Sequence, residues 1–164
     1  MSPTTPHTPP TPHTPIILEV LPDDPLYLGE RRLRWTILRA PLGMPVGSEE
    51  NAREPECRHF VTLDAEGSVV GCVLWLPERP DERSGRLLQM AVAHDRQGQG
   101  LGRALVRGLE AAVHASGFDE VTLHARDTAI GFYERLGYES YGEPFVEVGI
   151  PHRHMRRKLG PARA

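Results

Sequence analysis

The stretch Leu87–Val113, LLQMAVAHDRQGQGLGRALVRGLEAAV, has the pattern of a strand, a glycine loop and a helix. It begins with an apolar run of strand length, and Gly98, Gly100 and Gly102 then place a glycine at every second position. Helical periodicity follows, because apolar residues recur at the spacing of one helix face: Leu101, Ala104, Leu105, Gly108, Leu109 and Ala112. The glycines are therefore predicted to end at the N-terminus of a helix.

Such a helix N-terminus favours a phosphate ligand. Its first backbone N–H groups lack partners and carry partial positive charge, and glycines let a phosphate approach without a Cβ in the way. Two phosphate-loop types fail on spacing. No Lys-Ser/Thr pair follows the glycines, and a G-x-G-x-x-G pattern would need glycine at Arg103 or Leu105. A glycine-rich connection that binds nothing is the competing interpretation.

Two motifs carry a resemblance to a known family. Gln97–Gly102, QGQGLG, matches Q/R-x-x-G-x-G/A and resembles the pyrophosphate loop of the GNAT superfamily of N-acetyltransferases, which bind acetyl-coenzyme A. Ala129–Tyr138, AIGFYERLGY, is similar to the family signature A-x-x-F-Y-x-x-x-G-F/Y. Family members often carry Asn three residues before this alanine, where Arg126 stands here, so that residue's cofactor hydrogen bond is not carried over. The resemblance implies a cofactor site formed by Met90, Ala91, Val92, Gln97, Gly98, Gln99, Gly100, Leu101, Gly102, Arg103, Ala129 and Phe132.

Hydrophobic patterns in the rest of the chain predict an α/β (α+β) domain. The helix between the fourth and fifth strands predicts that these two strands are parallel. The element order β-α-(α)-β-β-β-α-β-α-β-β resembles that of the GNAT family, which implies the acyl-CoA N-acyltransferase fold, a mixed central sheet of six to seven strands with helices on both faces. Outside the opening stretch, the predicted strands are Ile16–Leu21, His59–Leu63, Val69–Leu76, Val121–Ala125, Tyr138–Tyr141 and His152–Leu159, and the predicted helices run from Asp24 as N-cap to about Arg39 and from Ala129 to Leu136.

Composition limits the organisation of the chain and its partners. The length of 164 residues suits one domain, expected over residues 16–160 behind a disordered tail, residues 1–15, that has almost no apolar residues. A net charge of −3 and a pI near 6.2 give no footprint for nucleic acid, and no apolar run reaches the roughly 18 residues of a membrane span. Cys57 and Cys72 are too few for a disulfide framework and lack metal-ligand spacing, so we expect a cytoplasmic protein without a metal site. Composition is compatible with a homodimer.

One connection is unusual for a solvent-exposed loop. Pro41–Gly47, PLGMPVG, carries three apolar side chains between its prolines and glycines. Two interpretations are open: the loop folds back over a groove, or it simply packs against the rest of the domain.

Acetyl transfer from a thioester to an amine needs a neutral amine, a donor to the carbonyl oxygen and a proton for the departing thiolate. The resemblance points to the backbone of Met90 and Val92 for holding the thioester and to Tyr133 as the acid. Packing of Tyr133 beside its neighbours is the alternative. The candidates for the general base, by residue type, are His59, Glu78, His94, His124, Glu147, His152 and His154.

The C-terminal segment narrows the choice of base. Glu147–Met155, EVGIPHRHM, resembles the E-x-G-I-P-H-x-x-M segment of small bacterial acetyltransferases similar to ElaA, which favours His152, oriented by Glu147, as base or substrate contact. Period-two alternation predicts that His152 and His154 share one face of a strand. A water relay without a dedicated base is the alternative.

These features predict an N-acetyltransferase that carries acetyl from acetyl-coenzyme A to a primary amine by direct attack in a ternary complex. A covalent enzyme intermediate is not expected, because neither cysteine lies in a matched catalytic position. The acceptor is a small-molecule or peptide amine, and few acidic residues near the groove disfavour a polyamine. A noncatalytic acyl-coenzyme A-binding sensor is the alternative from another class.

Overall fold

The computed structural model describes residues 14–160; most of the tail predicted to be disordered, residues 1–13, lies outside the described residues. Their main elements are strands β1 (Leu18–Val20), β2 (Arg58–Leu63), β3 (Val69–Arg79), β4 (Ser84–Val92), β5 (Glu120–Arg126), β6 (Glu139–Glu147) and β7 (Ile150–Lys158), and helices α1 (Leu26–Leu38), α2 (Leu101–Ala115) and α3 (Ile130–Arg135). Within this range, no helix combines the length and apolar character that crossing a bilayer requires.

The seven strands form one mixed sheet in the order β1-β2-β3-β4-β5-β7-β6. Neighbours are antiparallel except β4 and β5, whose parallel pairing confirms the prediction made from the helix between them. β2 and β3, which are consecutive in the chain, form an antiparallel hairpin. β6 is longer than the predicted Tyr138–Tyr141, because an edge strand tolerates Pro144 and the register shift between Tyr141 and Phe145.

The helices cover both faces of the sheet, and β3 shows how its side chains alternate between them. Val73 and Trp75 belong to the core that contains Leu105 and Leu109 of α2. Cys72, which directly precedes Val73 and so points to the opposite face, belongs to the core on the α1 side. Each face of the sheet is thus buried by a different helix, as the predicted fold requires.

The first two helices differ from their predictions only in detail. α1 begins at Leu26 rather than Pro25, and the Asp24 carboxylate still accepts a hydrogen bond from the Leu26 N–H at 2.8 Å. In α2 the fully buried residues include Val106 and Val113, which the predicted apolar face omitted. The buried face of α2 is therefore wider than predicted.

The feature that positions the site is a break in the pairing of β4 and β5. The parallel register runs only from Ser84 to Leu87 of β4. Beyond it, two residues of β4, Gln89 and Met90, oppose the single residue Val73 of β3, and Gln89 has φ +50°. Such a bulge bends a strand. β4 and β5 consequently separate beyond Leu87 and leave a gap in the sheet.

Candidate active site

A cavity of about 270 Å³ lies where β4 and β5 separate. Five segments supply its wall, so it exists only in the folded chain. These are Arg86–Met90 of β4, His124–Arg126 of β5, the α3 region with Ala129 and Tyr133, the β6–β7 hairpin end with Glu147, Val148 and His152, and the end of α1 and the segment after it with Leu38, Arg39 and Asn51.

The glycine loop ends at α2, as predicted. Gly98 and Gly100 have φ of +77° and +81°, a conformation that side chains other than glycine adopt at a cost, and a Cβ at either position would meet nothing within 4 Å. No side chain caps α2, and its first hydrogen bond runs from the Ala104 N–H to the Gly100 carbonyl. The amides of the first turn are therefore left without a side-chain cap. An open, uncapped helix N-terminus fits a pyrophosphate group.

Gly102 links this loop to the cavity. A Cβ at Gly102 would lie 3.3 Å from Cζ of Phe132 and 3.7 Å from Cε of Met90. Glycine thus allows the start of α2 to lie against α3 and β4. Because Met90 also lines the cavity, the helix N-terminus and the cavity are adjacent.

Tyr133 lies in the wall of the cavity and is only 6% exposed. Its ring contacts those of Phe132 and Tyr138 edge to face, with centroids 5.0 and 5.7 Å away. Burial raises the pKa of the Tyr133 phenol, because water no longer stabilises the phenolate. The hydroxyl therefore stays protonated at neutral pH.

Glu147 lies between two histidines that line the cavity. His124 Nδ1 is 3.1 Å from Glu147 Oε1, and His152 Nε2 is 3.6 Å from Glu147 Oε2. His152 Nδ1 donates to the Ile150 carbonyl at 2.7 Å, since a carbonyl can only accept. In the neutral ring the lone pair of His152 is consequently on Nε2, beside the carboxylate.

His124 has a lowered pKa in the cavity wall. Burial lowers the pKa of His124; the hydrogen bond with Glu147 opposes this shift, and the nearby charge of Arg86 adds to it. The ring is therefore neutral at pH 7. His154 shares a strand face with His152, as predicted, and its ring centroid lies 4.9 Å from that of His124.

The other predicted base candidates lie elsewhere. His59 is buried, with Nδ1 2.8 Å from Glu30 Oε1. Glu78 lies 3.4 Å from Arg86 Nε, and His94 is exposed beside the glycine loop; neither lines the cavity. Of the seven candidates, only His124, Glu147 and His152 reach the cavity wall.

The proline and glycine loop after α1 packs against that helix rather than folding over the cavity. Trp35 Nε1 donates to the Met44 carbonyl at 3.0 Å, while Leu42 and Val46 are exposed and line no part of the cavity. The loop therefore does not line this cavity, and of its two interpretations the contact with Trp35 favours packing against the domain. Arg39, just before the loop, reaches the cavity instead.

A buried polar cluster behind the cavity was not predicted. Arg34, fully buried on α1, donates to both carboxylate oxygens of Glu54 at 2.6 and 2.9 Å and to Oε1 of Gln89 at 2.6 Å. Glu30, also fully buried, lies 3.5 Å from the same guanidinium. The cluster ties the bulge of β4 to α1. Its sequence signal was Gln89, a lone polar residue inside an apolar strand.

Comparison with known proteins agrees with this geometry. The sequence pattern of the family described as "Acetyltransferase (GNAT) domain" matches residues 47–159. The Bacillus subtilis protein YjcF, named an uncharacterized N-acetyltransferase, is 30% identical over 115 residues, which are 70% of this chain and 79% of that protein. Two other relatives from B. subtilis match over 40% and 51% of their lengths, so the chain spans about half of those proteins or less.

Solved structures share the fold at low sequence identity. Escherichia coli ElaA has a TM-score of 0.74 and 19% identity, covering 87% of this chain and 99% of that chain. An aminoglycoside 6′-N-acetyltransferase complexed with coenzyme A has a TM-score of 0.72 and 21% identity, covering 91% and 99%. The predicted acyl-CoA N-acyltransferase fold is confirmed. The chain belongs to the GNAT family of acetyltransferases.

Proposed function

We propose that this protein transfers an acetyl group from acetyl-coenzyme A to a primary amine by direct attack in a ternary complex. One observation carries the proposal: an uncapped helix N-terminus with an open glycine loop adjoins a cavity lined by a protonated tyrosine and a carboxylate–histidine cluster. An anion site and proton-transfer groups are what the reaction needs side by side.

The glycine loop would hold the pyrophosphate of the cofactor. The first turn of α2 has no side-chain cap, a Cβ at Gly100 would meet nothing within 4 Å, and the helix dipole favours negative charge there. Acetyl-coenzyme A would supply the acetyl group as a thioester, whose C–S bond breaks as the new C–N bond forms. The neighbouring backbone at Met90 and Val92 is the proposed contact for the thioester end.

Tyr133 is the proposed acid. Its buried phenol is protonated at neutral pH and is in the cavity wall next to Ala129, so it can give its proton to the departing sulfur. The raised pKa limits how long the phenolate exists, because the tyrosine readily takes a proton back. The same burial weakens the phenol as an acid, so proton transfer depends on the negative charge that develops on the sulfur as the C–S bond breaks.

His152 is the proposed base. Its Nε2 carries the lone pair of the neutral ring, and Glu147 beside it stabilises the positive charge that the ring acquires on taking the proton of the amine. His124 shares Glu147 and holds the carboxylate in place from the other side. A relay of water molecules is the alternative route for this proton.

Direct attack is favoured over a covalent enzyme intermediate. Both cysteines are buried, and neither lines the cavity. Burial raises the pKa of Cys57 to about 11, so its thiol is protonated at neutral pH and is a poor nucleophile.

Thiol release from acetyl-coenzyme A, measured across a panel of primary amines, tests the proposal. Amine-dependent release is the expected result. Tight binding of acetyl-coenzyme A by calorimetry without release on any amine would instead favour a noncatalytic sensor of acyl-coenzyme A.

A further inference from the structure

Two arginines in the cavity wall have no acidic partner. Arg39 follows α1 and Arg126 ends β5, and both line the cavity. Among residues 14–160, neither guanidinium has a carboxylate oxygen within 4.0 Å, although most other arginines in that range have one. These two positive charges are therefore available to a ligand.

The two side chains are held next to each other. Arg39 Nη1 donates to the Leu38 carbonyl at 3.3 Å, and Arg126 Nη2 donates to the same carbonyl at 3.4 Å. Both are half-buried, so solvent screens their mutual repulsion only in part. Burial and the charge of Arg126 lower the pKa of Arg39, as expected for two like charges close to each other. An anion between them would relieve this repulsion.

The charge balance of the cavity indicates how much negative charge that anion carries. Its charged wall residues are Arg39, Arg86, Arg126 and Glu147, and Arg86 is already paired with Glu78 at 3.4 Å. Arg39, Arg126 and Glu147 together carry one net positive charge. A single carboxylate neutralises it, and the planar fork of a guanidinium matches a planar carboxylate.

We infer that the acceptor is a small amine that also carries a carboxylate, which Arg39 and Arg126 bind while the amine faces Glu147 and His152. The inference rests on the proposed function and deepens it by naming the substrate class. A free α-amino acid has both groups, an amine for Glu147 and His152 and a carboxylate for Arg39 and Arg126. A polyamine or an aminoglycoside lacks the carboxylate and would meet two unpaired arginines.

Matched acceptor pairs test the inference. The twenty standard L-amino acids are compared with their α-amides, both for thiol release with acetyl-coenzyme A and for binding to the protein saturated with coenzyme A, by calorimetry. At least one acid should exceed its amide by tenfold or more in kcat/KM and in affinity. Equal kinetics and binding for every pair would overturn the inference and leave acetyl transfer intact, whereas absence of acetyl-coenzyme A binding would overturn both.

Variants identify the residues responsible. Arg39→Gln and Arg126→Gln should each raise KM for the preferred acid by about tenfold while leaving the kinetics of its amide within twofold. The control is Arg32→Gln, at an exposed position on α1 outside the cavity. It should change neither KM for the acid nor the kinetics of the amide. If the Arg126 variant instead loses affinity for coenzyme A and treats acid and amide alike, this arginine binds the cofactor and the inference is wrong.

Discussion

Arg34 and Gln89 are joined by a hydrogen bond of 2.6 Å, from the guanidinium Nε of a fully buried arginine to the side-chain oxygen of the residue that forms the β4 bulge. Gln89 has a backbone conformation that non-glycine residues rarely adopt, at φ +50°. The buried arginine therefore helps to hold the bend that opens the cavity, although Arg34 itself does not line the cavity.

Replacing Arg34 should destabilise the fold strongly. Arg34→Met leaves Glu30 and Glu54 buried without their cation, which costs on the order of 3–5 kcal/mol in the free energy of unfolding. Urea unfolding measures the loss. Arg32→Met, on the exposed side of the same helix, is the matched control and should stay within about 0.5 kcal/mol of wild type. Similar stabilities for the two variants would show that the buried cluster contributes little.

The glycine loop is tested by adding a negative charge to it. Gly100→Glu should weaken acetyl-coenzyme A binding by at least about tenfold, roughly 1.4 kcal/mol, because a carboxylate would then occupy the space in front of the α2 amides. Gly117→Glu controls for backbone strain, since Gly117 also has positive φ with open space around it but lies beyond the opposite end of α2. Equal calorimetric affinities for the two variants would remove the loop from the cofactor site.

Tyr133→Phe separates catalysis from packing. The substitution removes only the hydroxyl, so the ring contacts with Phe132 and Tyr138 survive and coenzyme A affinity should stay within twofold. Turnover should fall by roughly 10²- to 10⁴-fold if the phenol protonates the leaving thiolate. Loss of turnover with intact binding indicates an interaction made in the transition state. Wild-type turnover would mean that Tyr133 only packs.

His152→Gln tests the base. Glutamine retains a hydrogen-bonding amide but cannot take the proton, so we expect kcat/KM to fall by roughly 10²-fold or more, with cofactor affinity preserved. His94→Gln, at an exposed position outside the cavity, should leave both kcat/KM and cofactor affinity unchanged. An unaltered rate and pH profile in the His152 variant would favour the water relay.

Acid sensitivity should depend on Glu54. Burial tends to raise the pKa of Glu54, but hydrogen bonds from Arg34 and from the Asn51 N–H, together with the charge of Arg34, lower it from 4.5 to about 2. A lowered folded-state pKa means that the carboxylate stabilises the fold above pH 4.5 and loses this contribution as pH falls towards 2. The ionised carboxylate contributes on the order of 3 kcal/mol to the free energy of unfolding.

The measurement is urea unfolding of wild type and Glu54→Gln from pH 7 to pH 3. The variant should be less stable at pH 7. The difference in free energy of unfolding between wild type and the variant should narrow steadily below pH 4.5. Glu66→Gln, at an exposed turn position, should show the same pH dependence of the free energy of unfolding as wild type. A constant gap between wild type and the Glu54 variant would contradict the assignment.

The sequence predicted the parts of this molecule that depend on local patterns. Strand, glycine loop and helix from Leu87 to Val113 are contiguous, so composition and periodicity were sufficient to identify them. The contacts that complete the cavity join distant residues: Arg34 and Gln89 are 55 positions apart, and Arg126 reaches the carbonyl of Leu38 across 88 positions. No periodicity encodes such pairs. Charged helix residues such as Glu30 and Arg34 also have the ordinary pattern of a solvated face, which concealed their burial.

The turn between β6 and β7, next to Glu147 in the cavity wall, can vary in sequence without affecting the cores of the domain. Val148 and Gly149, with φ of +45° and +73°, form a two-residue hairpin connection immediately after Glu147. Val146 and Val148 are exposed, so side chains at this tip can change without disturbing either core. Substitution of Val148 at this hairpin tip would therefore reshape the cavity wall while the glycine loop and the sheet stay constant.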